Sequence, residues 1–220
     1  MNRISQNFLL IAAIFFLANC NNGNNVSTKK QERVKPIVDP VVARDTEDSV
    51  KLTVLVRKFY KWHVKDTMRA DGFKPQKRNA SDSLYTSIDL DENKKAIEEL
   101  KETGFFSNDF FDDYRKIAVR MDKELRDGTS IWPDGELPSF NDDVDEWCNC
   151  QDYPDNYWDK ITLTNIKFNK DDVSFKWTWG DNFYYKAKAK KKDGTWKISH
   201  LEGFDMNYYN WEWVAKHKKR

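Results

Sequence analysis

The chain has 220 residues, of which 39% are hydrophobic and 15% aromatic, and Lys+Arg 37 stand against Asp+Glu 36 for a net charge of +1. So even a balance gives no bulk field to draw the protein onto nucleic acid, and no nucleic-acid partner is expected. With His 3 and Cys 3, and no pair of spaced Cys or His motifs, a zinc site is not expected either.

The apolar run from Phe8 to Ala18 follows Arg3. At about 1.5 Å of rise per residue it is too short for a hydrocarbon core of about 30 Å. Its length and its basic flank suit a signal peptide. The stretch Leu17-Ala18-Asn19-Cys20 resembles the lipobox of bacterial lipoproteins, with Asn19 where Ala, Gly or Ser is usual. The resemblance implies a signal peptide over 1–19, cleavage before Cys20, lipidation of Cys20 and anchoring to the bilayer; a plain secretory signal cut after Ala18 is the alternative. Multiple acyl chains hold a protein far more firmly than one myristoyl group. By the sorting rules of that family, Asn21 in place of Asp points to the outer membrane. The lack of an acidic tract after Cys20 points to its periplasmic face. Residues 20–48, rich in Asn, Lys, Glu, Ser and Pro, bury too little apolar surface to offset their ordering entropy and read as a tether.

Residues 49–220 are enough for one domain with a real core. A helix is predicted from about Thr46 to Met68, because Leu52, Leu55, Val56, Phe59 and His63 fall on one helical face. Asp45 or Thr46 would cap it, with Asp48 near its positive end. Helical signals run from Asp91 to Lys101 and break at Thr103-Gly104. A longer helix is predicted from Ser107 to Arg126, with Phe110, Phe111, Tyr114, Ile117, Ala118, Met121 and Leu125 as its stripe and Asp127-Gly128 as its stop. Thr129 to Asp159 reads as a long polar connection.

After that the period changes to two. Ile161, Leu163, Ile166 and Phe168 suggest a strand with a phase slip near Asn165. Val173, Phe175, Trp177 and Trp179 alternate with polar residues, as do Phe183, Tyr185, Ala187 and Ala189 in a third strand. Trp196, Ile198 and His200 are assigned to one face of a fourth. Turns at Asn169–Asp172, Gly180-Asp181 and Lys191–Gly194 join them. The fold class is therefore α+β: two to three N-terminal helices packed on a curved four-stranded antiparallel sheet.

Val56-Arg-Lys-Phe59-Tyr60-Lys-Trp62-His63, Phe105-Phe106-Ser107 leading into Phe110-Phe111, and the closing Gly194-Thr-Trp196-Lys-Ile198 resemble bacterial lipoprotein domains of unknown function with the nuclear-transport-factor-2-like (cystatin-like) cone. The resemblance covers about Ser49 to Asp205 and implies a pocket between the first helix and the concave sheet face, with Tyr60, Trp62, Trp177 and Trp196 as lining candidates. Within it His63 and His200 are the candidate catalytic pair, with Tyr60, Asp66 or Glu202 nearby, since two converging imidazoles shuttle protons near neutral pH. The ordinary alternative is a hydrogen-bonded core histidine at each position.

Cys148 and Cys150 invite a disulfide in an oxidising compartment, local if a turn brings their Cα atoms together or otherwise to a partner; free thiols and a metal ligand are the alternatives. Asn141 to Glu146 supplies calcium-type oxygens without the spacing of an EF-hand, so no metal or cofactor is expected. Lys186, Lys188, Lys190, Lys191 and Lys192 alternate and then cluster on one strand, with the alternate lysines on its solvent face for anionic headgroups, an acidic partner or plain solubility. The aromatic tail from Asn207 to Ala215 either covers the sheet or docks a partner. No phosphate loop, nucleophile elbow or HExxH occurs. The expected function is a non-enzymatic protein- or ligand-binding module held to the bilayer through Cys20, with an envelope protein as a possible partner. A pocket hydrolase or isomerase and an inhibitor or immunity-type protein are the alternatives.

Overall fold

A computed structural model describes residues 40–66, 72–135 and 144–205 of the chain. The lipobox with Cys20, most of the tether, residues 141–143 of the acidic run and the aromatic tail lie outside the described residues. Helix α1 spans Pro40–Lys65, so it begins inside the stretch read as tether and ends before Met68. Three two-residue strands follow, β1 (Pro75–Gln76), β2 (Leu84–Tyr85) and β3 (Ser87–Ile88). Then come α2 (Leu90–Glu102), α3 (Asn108–Arg126), β4 (Trp132–Pro133) and the one-turn α4 (Tyr157–Lys160). A meander of β5 (Thr162–Asn169), β6 (Asp172–Thr178), β7 (Tyr185–Lys192) and β8 (Thr195–Leu201) closes the described fold, giving a mixed α+β architecture.

The four strands pair antiparallel in the order β5-β6-β7-β8. Asp193 and Gly194 both carry positive φ, 52° and 76°, as the two-residue turn between β7 and β8 requires. The free edge of β8 is met by the chain entering α3. Phe106 bridges Ile198 in parallel, Ser107 N–H donates to the Ile198 carbonyl at 2.9 Å, and Ile198 N–H donates to Phe105 at 2.8 Å.

Two bulges interrupt the ladder. One falls between Thr164 and Lys167, at the predicted phase slip. The other was not expected. Ala189 pairs with Ile198 but Lys188 pairs with His200, so Ser199 is the extra residue and the strand changes phase there.

One face of the sheet is core. Val173, Phe175, Trp177, Tyr185, Ala187, Ala189, Trp196, Ile198 and Leu201 are all buried on it, with α1 laid across. The predicted stripe of α3 is buried in full, from Phe110 to Leu125. Asp89 caps α2 by accepting the Glu92 N–H at 3.0 Å. Ser107 precedes α3 in extended conformation but makes no side-chain cap bond.

The described parts of the connection after residue 129, residues 129–135 and 144–159, return to the fold. Trp132 pairs back to Tyr85, and Trp147, Cys148, Cys150, Tyr157 and Trp158 are buried in the core.

Candidate functional site

The space between α1 and the sheet is built from rings. Phe59, Tyr60 and Trp177 are each 0% exposed, and Tyr60 and Trp177 stand 4.5 Å apart by ring centroids. Trp147 packs on Phe59 at 5.7 Å and on Phe204 at 4.6 Å. Rings at such separations leave no ligand-sized gap between them. Trp62 is half-buried against Phe59 and Phe105. Trp196 is 4% exposed and donates its Nε1–H to Asp48 at 3.0 Å. The lining expected of Tyr60, Trp62, Trp177 and Trp196 is therefore corrected: these residues pack into the core or against it, because their own ring area fills the volume.

The segment Asp145–Cys150 is tied down over these rings. Its ends bridge each other, and the Asp145 carboxylate accepts the Trp147 N–H at 2.9 Å. Cys148 and Cys150 form a disulfide, made possible by a turn that brings their Cα atoms to 5.2 Å. Tyr60 donates its hydroxyl to the Trp147 carbonyl at 2.6 Å. Tyr185 donates to the Glu146 carbonyl at 2.8 Å while accepting the Gly203 N–H at 2.8 Å. Burial, reinforced by the neighbouring Tyr185 and Tyr157, pushes the Tyr60 phenol well above its ordinary value, so it stays a neutral donor.

His63 belongs to this inner cluster. It is 8% exposed, lies 5.2 Å from the Trp147 ring, and its Nε2 is 3.3 Å from Asp145 Oδ2. His200 does not join it. The Ser199 bulge turns His200 away from Trp196 and Ile198 and sets it beside Lys188 on the outer face. The proposed imidazole pair is thereby taken apart: one ring is in the core, the other on the far side of the sheet. Burial of His200 holds its pKa below the usual imidazole value. Lys188 pushes the same way, while Asp205, Asp113 and Glu202 oppose.

The outer face carries the charge. Across the strands, Lys167 pairs with Ser174, Ser174 with Lys188, and Lys188 with His200, giving one continuous row. Two hollows of about 490 and 470 Å³ flank this row and share those four residues in their walls. Along β7, on either side of Lys188, the lysines are paired: Lys190 with Asp109, and Lys186 with Glu202. Lys191 is out of step with the alternate lysines. It lies on the inner side and reaches Asp48 of α1, with both Nζ–O distances 2.9 Å. Neither partner of that pair was legible as such from the sequence.

Among the described residues no group of three or more His, Cys, Asp or Glu is placed to hold a metal ion, and no helix is long and apolar enough to cross a membrane. Asp145 and Glu146, the described part of the acidic run, serve the turn over Trp147. No known protein family, curated protein or solved structure matches this chain.

Proposed function

We propose that the chain is a lipid-anchored, non-enzymatic binding module of the bacterial cell envelope, of the nuclear-transport-factor-2-like cone type. Acylated Cys20 holds it to the outer membrane on the periplasmic side, and a protein or small ligand is its client. One observation carries the non-enzymatic part: Tyr60 and Trp177 close the inner space with 0% exposure each. The binding surface is then assigned to the outside of the fold, where hollows lie on the sheet and between α2 and α3. The anchor rests on Leu17-Ala18-Asn19-Cys20.

The enzyme reading needed two imidazoles in one pocket, and Ser199 separates them. The inhibitor reading needed residues 129–159 to protrude, and in the described part of that stretch Trp147, Tyr157 and Trp158 are buried.

The test is metabolic labelling with radioactive palmitate in a bacterial host, alongside Cys20→Ala, followed by affinity capture from envelope extract. Label on the parent, none on the variant, and a stoichiometric client without turnover support the reading. An unlabelled parent removes the anchor, and turnover of a captured metabolite removes the non-enzymatic assignment.

A further inference from the structure

We propose that the outer face of the sheet binds a compact tetrahedral oxyanion, free phosphate or a phosphomonoester, over the row Lys167–Ser174–Lys188–His200. The proposal deepens the binding-module reading and rests on it.

Register puts the four side chains on one line. Neighbouring strands lie about 4.8 Å apart, so adjacent members of the row stand within reach of one small ligand. The two hollows, about 490 and 470 Å³, meet over this row and share no wall residue outside it. His200 is present only because of the bulge; with regular pairing Ser199 would face Lys188 instead. Bulges commonly re-aim one side chain in this way.

The charges are sorted along the face. Lys190 is held by Asp109 and approached by Asp172 at 4.0 Å, and Lys186 by Glu202 through both its backbone N–H and its Nζ. Among the described residues no carboxylate lies within ion-pair distance of Lys167 or Lys188. Lys167 and Lys188 are thus left without a carboxylate partner, while Lys186 and Lys190, the outward lysines beside Lys188 along β7, are neutralised and His200 Nε2 faces Asp205 at 3.8 Å. Two lysine ammoniums, the Ser174 hydroxyl and a His200 ring N–H are the donors a phosphate group accepts from.

The same sorting excludes an extended polyanion. Asp109, Asp113 and Asp172 border one hollow, and Glu202 and Asp205 the other. A nucleic acid or a flat anionic bilayer would press its charge against these carboxylates. A single phosphate reaches the central lysines and stays clear of the rim.

The experiment is calorimetric titration of the full chain in detergent with inorganic phosphate and with glycerol 3-phosphate. Lys167→Gln, Lys188→Gln and Lys192→Gln are compared, with circular dichroism to confirm folding. Lys192 is exposed beside the β7–β8 turn and outside both hollows, so it controls for net charge. The expected result is saturable one-site binding, weakened about tenfold or more by either of the first two changes and untouched by the third. No saturable binding overturns the proposal, as does equal weakening by Lys192→Gln. Binding to phosphatidylglycerol vesicles that phosphate does not displace also overturns it, in favour of a membrane surface. A client captured from envelope extract with Lys188→Gln as well as with the parent would sink the site and leave the module standing; loss of every client would sink the module itself.

Discussion

Asp48 and Lys191 stand 143 residues apart and meet in a two-pronged ion pair with both Nζ–O distances at 2.9 Å. The Asp48 side chain is 3% exposed and that of Lys191 22%, and Trp196 adds a third donor to the same carboxylate. The pair therefore pins α1 to the far end of the β7–β8 hairpin. Removing one partner strands the others in low dielectric. Asp48→Ala is expected to lower stability by about 3 kcal/mol, read as a fall in urea midpoint with unchanged slope. A replacement without effect would mean that α1 is held by its apolar stripe alone.

The same carboxylate sets an acid limit. Burial raises its pKa, but hydrogen bonds from Lys191 and Trp196 and the Lys191 charge outweigh that and hold it below the usual carboxylate range. A carboxyl depressed in the folded state adds stability above the unfolded value, about 3.9, and that contribution is lost as pH falls toward the folded value. His200 acts in a higher window. Its folded pKa lies below the ordinary imidazole value, so stability falls as pH drops from about 6.5. His200→Gln should flatten the stability profile as pH falls below about 6.5 and leave the acid limb in place. A profile unchanged in that upper window would show that His200 titrates alike in both states.

The turn at Asp145–Cys150 offers a ranking. Its disulfide closes a loop of three residues, for which loop-entropy arguments give about 1.5 kcal/mol. Trp147 fills a buried volume among Phe59, Phe110 and Phe204, and truncating such a ring costs about 3–5 kcal/mol. The double change Cys148→Ser, Cys150→Ser should thus destabilise less than Trp147→Ala. Equilibrium unfolding of both variants checks the order, and the reverse order would make the crosslink the main restraint.

Gly203 tests how closely that turn is pressed on the strand. A Cβ there would run into the Glu146 carbonyl, which Tyr185 also binds. Gly203→Ala is expected to cost about 1–3 kcal/mol by overpacking and to raise Trp fluorescence exposure as Trp147 is displaced. Unchanged stability and quenching would mean the turn yields freely.

Much of this fold was legible because its apolar residues keep a regular period. The stripe from Phe110 to Leu125 specified α3, and the clean alternation in β6 and β7 specified the inner face. Asn165 betrayed its bulge by breaking alternation. Ser199 did not, since Trp196, Ile198 and His200 alternate as an unbroken strand would, and a small serine fits either phase. Trp147, Tyr157 and Trp158 were hidden for another reason: they lie among acidic and turn-forming residues, so local composition reads as loop although each ring is buried by long-range contacts. The role of Asp48 depends on a partner 143 positions away, which no local pattern encodes.

The short parallel contact of Phe105–Ser107 with Ile198 has a bearing on behaviour at high concentration. It occupies the outward amide and carbonyl of Ile198, so a stretch of β8 is closed to a second molecule. The opposite border, β5, is broken by its bulge and carries exposed Asn165, Lys167 and Asn169, features that hinder strand addition. Both flanks of the meander are thereby guarded against fibrillar self-assembly.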